Sequence, residues 1–488
     1  MSQWAFKSAV ELSKALAAKQ VSAVELAQDT IARIERHDGQ INAICVRDFD
    51  RALAAAREAD AARARGAAKA LLGIPMTVKE SFNLAGTPTT WGWSQFKGYK
   101  PNDDSACVQR VKAAGAVILG KTNVPVALGD WQSYNDIYGI TKNPYDLGRT
   151  PGGSSGGSSA ALAAGFGPLS LGSDIGGSLR VPAHHCGIYA HKPTLGLVPP
   201  RGHAPPMVPS VPLHLDLAVV GPMTRTAADL ALLLDVIAGP DEIDAGVGYR
   251  LDLPAARHEK IGDFRILIID SHPLLPSAAS VRGAIDRLAE GLAGKGATIS
   301  RTNAHLPDLA ESARLYMRLL FSFLASSFPP HVYDQMQAER AKLPDAANSL
   351  VAERLRGCVS SHRAWVLDDG ARQGLRAQWR ALFKTVDAVI CPVMPTPAYP
   401  LDFVEDQNLR HIDIDGAKYP YLDQLVWAGV ATTPGLPATA IPAGQTPEGL
   451  PIGLQIIGPW LNDRTPLRLA ELIEREFGGF TPPPQFAD

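Results

Sequence analysis

Residues 151–158 read PGGSSGGS, with four glycines and three serines in eight positions. Glycine–serine tracts are common flexible spacers, and a spacer should end where a new domain begins. This run is instead followed at once by SSAALAAG (158–165), a short helix of small residues. PLSLGSD (168–174) then reads as a strand ending in a second glycine turn. A buried glycine loop therefore fits better than a linker, because glycine lets backbone take positive φ and approach other groups closely.

Working outward, the same alternation recurs. LLGIPMTVKE (71–80) is a short apolar run that turns polar at Lys79 and Glu80, and AVIL (116–119) is a buried-strand run. Ser105 can cap a helix that ends near Gly115. FRILIID (264–270) predicts a strand, Val281, Ile285, Leu288 and Leu292 mark a helix face, and ATIS (297–300) predicts the next strand. Upstream, Val24, Leu26, Ile31 and Ile34 form a helical stripe within 21–36, and 50–70 is alanine-rich and helix-favouring. The pattern predicts an α/β fold with a parallel or mixed central sheet covered by helices on both faces. One domain over 1–488 is expected, with a core at about 65–230 and a helical elaboration at about 305–385. The proline-rich stretch 200–216 is expected to be a surface loop.

Composition narrows the function classes. Of 488 residues, 46% are hydrophobic and 20% charged, with a formal net charge of −2. That balance gives no polybasic surface for nucleic acid. MSQWAFKSAVELSK lacks a signal-peptide h-region, and no run reaches the roughly 18 apolar residues of a membrane span. Cys45, Cys107, Cys186, Cys358 and Cys391 are widely spaced and odd in number, which suggests reduced thiols and a cytoplasmic protein.

Several motifs compete for the chemistry. Gly152–Gly156 matches G-x-S-x-G literally, but the preceding TKNPYDLGRTP is a turn-rich loop, whereas a nucleophile elbow needs a strand there. Gly115–Thr122 (GAVILGKT) satisfies the P-loop pattern, yet its middle residues are strand-like, so a strand and a turn at Gly120 are expected. Ser94–Lys97 fits S-x-x-K without a K-T-G partner. His184, His185, Cys186 and His191 form one cluster without a second ligand group, so no metal and no cofactor is expected.

Three segments remain: GIPMTVKE (73–80), GGSSGGS (152–158) and GSDIGGSLR (172–180). Together they resemble the amidase signature family of serine hydrolases. Cys186-Gly187, HKPT (191–194), VGPMTRT (220–226), TPGLPA (433–438) and GLPIGLQ (449–455) extend the resemblance from about residue 10 to about 475, with a weak stretch at 305–385.

The resemblance implies a Ser-Ser-Lys triad of Ser178, Ser154 and Lys79. Ser178 would attack the carbonyl carbon, and Ser154 would relay its proton to a neutral Lys79, whose ammonium form burial disfavours. It also implies a cis peptide between Gly153 and Ser154. Backbone N–H groups of Ile175, Gly176 and Gly177 would form an oxyanion hole, where one donor is worth about 3 kcal/mol in other enzymes. Ser155, Asp174 and Arg180 would support these loops. Trp91, Trp93, Trp131 and Gln132 are expected to shape the substrate pocket together with 200–216 and 305–385.

The implied activity is cleavage of a carbonyl C–N bond in a small-molecule amide, aryl amide or carbamate, with esters also within reach, by a monomer or homodimer. The alternative is the glutamine-hydrolysing subunit of a tRNA-dependent amidotransferase, which needs a partner and a carboxylate-binding site. A binding-only homologue is disfavoured because all three triad residues are present.

Overall fold

The computed structural model describes residues 3–212 and 214–487. Leu213, inside the 200–216 stretch, lies outside the described residues, as do the first two residues and the last. Eleven strands form one central sheet: β1 (Ile44–Arg47), β2 (Pro75–Lys79), β3 (Val117–Thr122), β4 (Leu169–Asp174), β5 (Tyr189–Lys192), β6 (Val219–Thr224), β7 (Arg265–Ile268), β8 (Thr298–Ser300), β9 (Ala388–Pro392), β10 (Ala438–Gln445) and β11 (Pro451–Ile457). Their order across the sheet is β1-β3-β2-β4-β6-β5-β10-β11-β9-β7-β8. β3, β2 and β4 run parallel, as do β9, β7 and β8, while the strands between them pair antiparallel. The sheet is thus mixed, as the alternation predicts, and helices flank it.

The interior strands explain how the site is placed. Every residue of β2 (PMTVK) and β4 (LSLGSD) is buried, because parallel strands covered on both faces need no solvent-facing side. Their register pairs Met76 with Leu169 and Val78 with Leu171, so both strands end at the same edge. Lys79 is therefore delivered beside the last residues of β4, within reach of Ser173, from a segment almost a hundred residues away.

The expected helices form with adjusted bounds. The stripe at 21–36 belongs to the helix Ala23–Ile41, opened by a Ser22–Glu25 capping box and closed by Asn42 in the left-handed region. The alanine-rich helix is Phe49–Ala64, and Ser105 caps Ala106–Ala113 by accepting from Val108 N–H. Region 305–385 is helical: Leu309–Ala325, Pro330–Lys342, Leu350–Cys358 and His362–Leu382. One expectation is corrected. β3 runs on through Gly120 to Thr122, because Lys121 and Thr122 pair with β1 and β2; there is no turn at Gly120. Among the described residues, no helix is long and apolar enough to cross a membrane.

Candidate active site

Lys79 is the last residue of β2 and has no exposed surface. Its Nζ lies 2.7 Å from Ser154 Oγ and 2.9 Å from Ser173 Oγ. Burial lowers its pKa from the ordinary lysine value to about 7, and the nearby Asp174 charge raises it by less. A lysine held there exists largely as an amine above neutrality, with a lone pair to accept a proton. Ser173 is a contact that sequence reasoning missed; it sits in the 172–180 segment, whose visible signal is the glycine turn.

Ser154 is almost fully buried, and the Gly153–Ser154 peptide is cis, as the resemblance implies. Gly153 is required here by space: a Cβ would lie 2.3 Å from Asp130 O and 2.9 Å from Gln132 N. The helix Gly156–Ala163 starts two residues before the predicted one, since the glycines continue directly into it. Ser155 N–H donates to Ser178 O at 3.3 Å, tying the two glycine loops together. Ser178 stands just ahead of the helix Arg180–Cys186 and is 7% exposed, so the site opens narrowly to solvent.

The turn between Asp174 and Arg180 is held by a buried ion pair. Arg180 Nη2 and Nε lie 2.9 and 3.0 Å from the two Asp174 oxygens. The same carboxylate accepts Gly177 N–H at 2.9 Å and Leu179 N–H at 3.1 Å. Burial raises the Asp174 pKa, but the charge and hydrogen bonds of Arg180 outweigh it and leave the carboxyl below its ordinary value. Arg180 also donates to Gln455 Oε1, Thr432 Oγ1 and Ala428 O, so each nitrogen of the fork is engaged. Gly177 takes φ +96°, which a side chain would oppose. Asp174→Ala is therefore expected to destabilise the protein by about 3–5 kcal/mol in denaturant melts, because it strands a buried guanidinium. Asp174→Asn should cost less, since it still offers an acceptor.

The structure separates the expected pocket residues. Trp131 is 6% exposed, and its indole Nε1–H donates to Gly176 O at 2.9 Å. Gln132 is buried and brackets the backbone of Asp402, donating to its carbonyl and accepting its N–H. Trp91 is partly exposed at φ +54°, donates to Ser81 O and stacks on Trp93. The buried carboxylate of Glu80 accepts the backbone N–H of Trp91 and both the backbone N–H and the hydroxyl of Thr90. His184 is occupied by Gly453 N–H and Thr396 O, and His191 by Thr439 and Asp463. Ser94–Phe96 is a short turn with Ser94 and Gln95 exposed, and Phe96 packs edge-on to Trp93.

Further side chains that sequence reasoning missed flank the turn. Tyr316, from the helix Leu309–Ala325, donates its hydroxyl to Ile175 O at 2.6 Å. On the same helix, Phe321 lies under Arg354, which forms an ion pair with Asp423 at 3.7 Å, beyond hydrogen-bond reach. Arg354 Nη1 and Asp423 Oδ1 are buried without a hydrogen-bond partner.

A lysine, two serine hydroxyls and a glycine turn in this arrangement are accompanied by a family match. The amidase family model covers residues 25–467. The chain belongs to the amidase family. As an amidase, it is an enzyme that hydrolyses carbon–nitrogen bonds other than peptide bonds. It is 33% identical to a glutamyl-tRNA(Gln) amidotransferase subunit of Anaeromyxobacter sp. (strain K) over 498 residues, covering 97% of each chain. It is also similar, at 30% identity and a TM-score of 0.79 over 97% of this chain and 99% of the other, to a structure from a vestigial protein complex that reveals the evolutionary origins of an s-triazine catabolic enzyme. A bacterial aryl acylamidase of the amidase signature family shares the fold with a TM-score of 0.79 over 98% of this amidase and 97% of that chain, at 24% identity.

Proposed function

We propose that this amidase cleaves its substrate through a seryl acyl-enzyme, with Ser178 as nucleophile, Ser154 as proton bridge and Lys79 as base. The observation that carries this reading is the fully buried Lys79, whose Nζ is 2.7 Å from Ser154 Oγ and whose pKa is lowered to about 7. Ser178 Oγ attacks the carbonyl carbon as its proton passes to Ser154 and the Ser154 proton passes to Lys79. The carbonyl oxygen becomes an oxyanion facing the Ile175 and Gly176 N–H groups; Gly177 N–H is committed to Asp174. The lysine proton returns through Ser154 to the leaving nitrogen, the C–N bond breaks, and water repeats the sequence on the acyl-enzyme. Asp174 and Arg180 hold the turn, and Ser155 ties it to the Ser154 loop. We further place the protein in the cytoplasm, which its five unpaired cysteines support, acting on a small-molecule amide or carbamate.

A second reading of the substrate, glutamine hydrolysis for a partner protein, is supported by a specific pair. Arg354 Nη1 and Asp423 Oδ1 offer a carboxylate and an ammonium group the hydrogen-bonding atoms they need. Asp423 lies two residues before Leu425, whose Cδ2 would be 3.2 Å from a Cβ on Gly176. Arg354 lies over Phe321 on the helix that carries Tyr316. The full-length likeness to named amidotransferase subunits weighs on the same side and makes glutamine the better supported of the two substrate readings.

A panel separates the readings: short- and long-chain acyl anilides, an aryl carbamate and L-glutamine, each with wild type, Ser178→Ala and Arg354→Gln. Turnover that vanishes in Ser178→Ala supports the acyl-enzyme reading, and activity surviving in it overturns that reading. If glutamine is the substrate, Arg354→Gln should raise its KM roughly 10- to 100-fold, the worth of a hydrogen bond to a charged group. Anilide turnover in that variant should change less than about twofold. Equal loss on both substrates would overturn the glutamine reading.

A further inference from the structure

The turn that faces the reacting carbonyl is gripped from behind. Tyr316 Oη donates to Ile175 O at 2.6 Å, and Trp131 Nε1 donates to Gly176 O at 2.9 Å. A trans peptide is planar, with its C=O and N–H pointing to opposite sides. Holding the Ile175 carbonyl therefore aims the Gly176 N–H the other way. Holding the Gly176 carbonyl aims the Gly177 N–H, which Asp174 Oδ1 receives at 2.9 Å. The two grips fix two consecutive peptides, so that the Gly176 N–H is left free while the Gly177 N–H stays on Asp174.

We propose that Tyr316 and Trp131 are positioning residues, an inference that rests on the acyl-enzyme reading above: Tyr316 aims the Gly176 N–H as an oxyanion donor, and Trp131 holds the next peptide with its N–H on Asp174, which keeps the turn in the conformation that leaves the Gly176 N–H free. Both side chains are locked in place. The Tyr316 ring has no exposed surface and packs where Gly429 leaves room, since a Cβ on Gly429 would lie 2.6 Å from that ring. Burial pushes its phenol pKa up, so Oη keeps the proton it donates. Trp131 stands edge-on to Tyr421, 5.3 Å between ring centroids. Tyr421 donates to Asp130 at 2.6 Å, and Asp130 is paired with the buried Arg410. A donor that is prealigned needs no reorganisation when charge develops on the carbonyl oxygen, so its effect belongs to the transition state and not to substrate binding.

The test uses Tyr316→Phe and Trp131→Phe, which remove one donor each and keep a ring. Wild type and both variants are measured with the best substrate of the panel and with phenylboronic acid, which forms a tetrahedral adduct on the serine. Each variant is expected to lower kcat about tenfold with KM within about twofold. Affinity for the boronic acid should fall by the same factor, and the low-pH limb of the rate profile should not move. The proposal is overturned if kcat stays within twofold of wild type, if the loss falls in KM, or if kcat drops while boronic acid binds as before. Should Tyr316→Phe not fold, Trp131→Phe is read by the same criteria. Failure of the parent reading looks different: wild type would then form no boronate adduct, or Ser178→Ala would remain active.

Discussion

Ser178→Ala should remove on the order of a millionfold in kcat, the loss seen when a serine hydrolase gives up its nucleophile. The size follows from what would remain. Lys79, Ser154 and the turn would still bind substrate and polarise its carbonyl, but no group is placed to form the acyl bond. Residual catalysis over water, from binding and oxyanion donors alone, is expected at about 10³–10⁴-fold. Two measurements check this. Quenching wild type during turnover should show a mass increase equal to the acyl group on the peptide that contains Ser178, and the variant should show none. Substrate should still bind the variant with nearly unchanged affinity, because Ser178 contributes one hydroxyl to a site built from backbone. A labelled acyl group on Ser154 instead would reassign the nucleophile to the bridging position.

The part of this site that is legible in sequence is the part built from contiguous residues. Lys79, Ser154 and Ser178 each sit in a short segment whose glycines announce unusual backbone. Asp174 and Arg180 are six positions apart, and the turn between them closes on its own ion pair. What stays hidden depends on packing between distant elements. Tyr316 reaches Ile175 across 141 residues, and it looks in sequence like any aromatic on the buried face of a helix. Arg354 and Asp423 belong to a weakly matching region and an unremarkable turn, and only the fold reveals that Arg354 Nη1 and Asp423 Oδ1 lack hydrogen-bonded partners. Trp131 is a pocket candidate in the sequence, and only the fold shows that its one polar atom is spent on Gly176 O. The strands follow the same logic. β11, buried throughout, and β10, buried over its first four residues, carry no alternation to read and each contain a proline and a glycine, and their pairing with β5 and β9 makes them strands.

Replacing Lys79 should produce the second large effect, and pH dependence makes it diagnostic. Lys79→Met keeps volume and removes the proposed base, so kcat is expected to fall about 10²–10⁴-fold, the worth of general base catalysis. In wild type the amine must be neutral to accept a proton. With its pKa lowered to about 7, log(kcat/KM) should rise with unit slope below pH 7 and level off above it. The residual activity of Lys79→Met should lose that limb. Stability should move in the opposite direction. An unfolded lysine keeps its ordinary pKa near 10.4, so between about pH 7 and pH 10.4 the unfolded chain holds the extra proton and stability climbs with pH. Below pH 7 both states are protonated and the penalty for burying the ammonium is fully present, on the order of 5 kcal/mol by that shift. Lys79→Met removes this penalty, although part of the gain is taken back by the Ser154 and Ser173 hydroxyls that lose their donor. The variant should therefore melt above wild type at pH 6 and lose that advantage by about pH 10. A variant that melts below wild type at pH 6 would mean that Lys79 is not held under an electrostatic penalty, and the source of its basicity would have to be sought elsewhere. Both results together, activity lost and acid-side stability gained, are what a lysine kept neutral for catalysis requires.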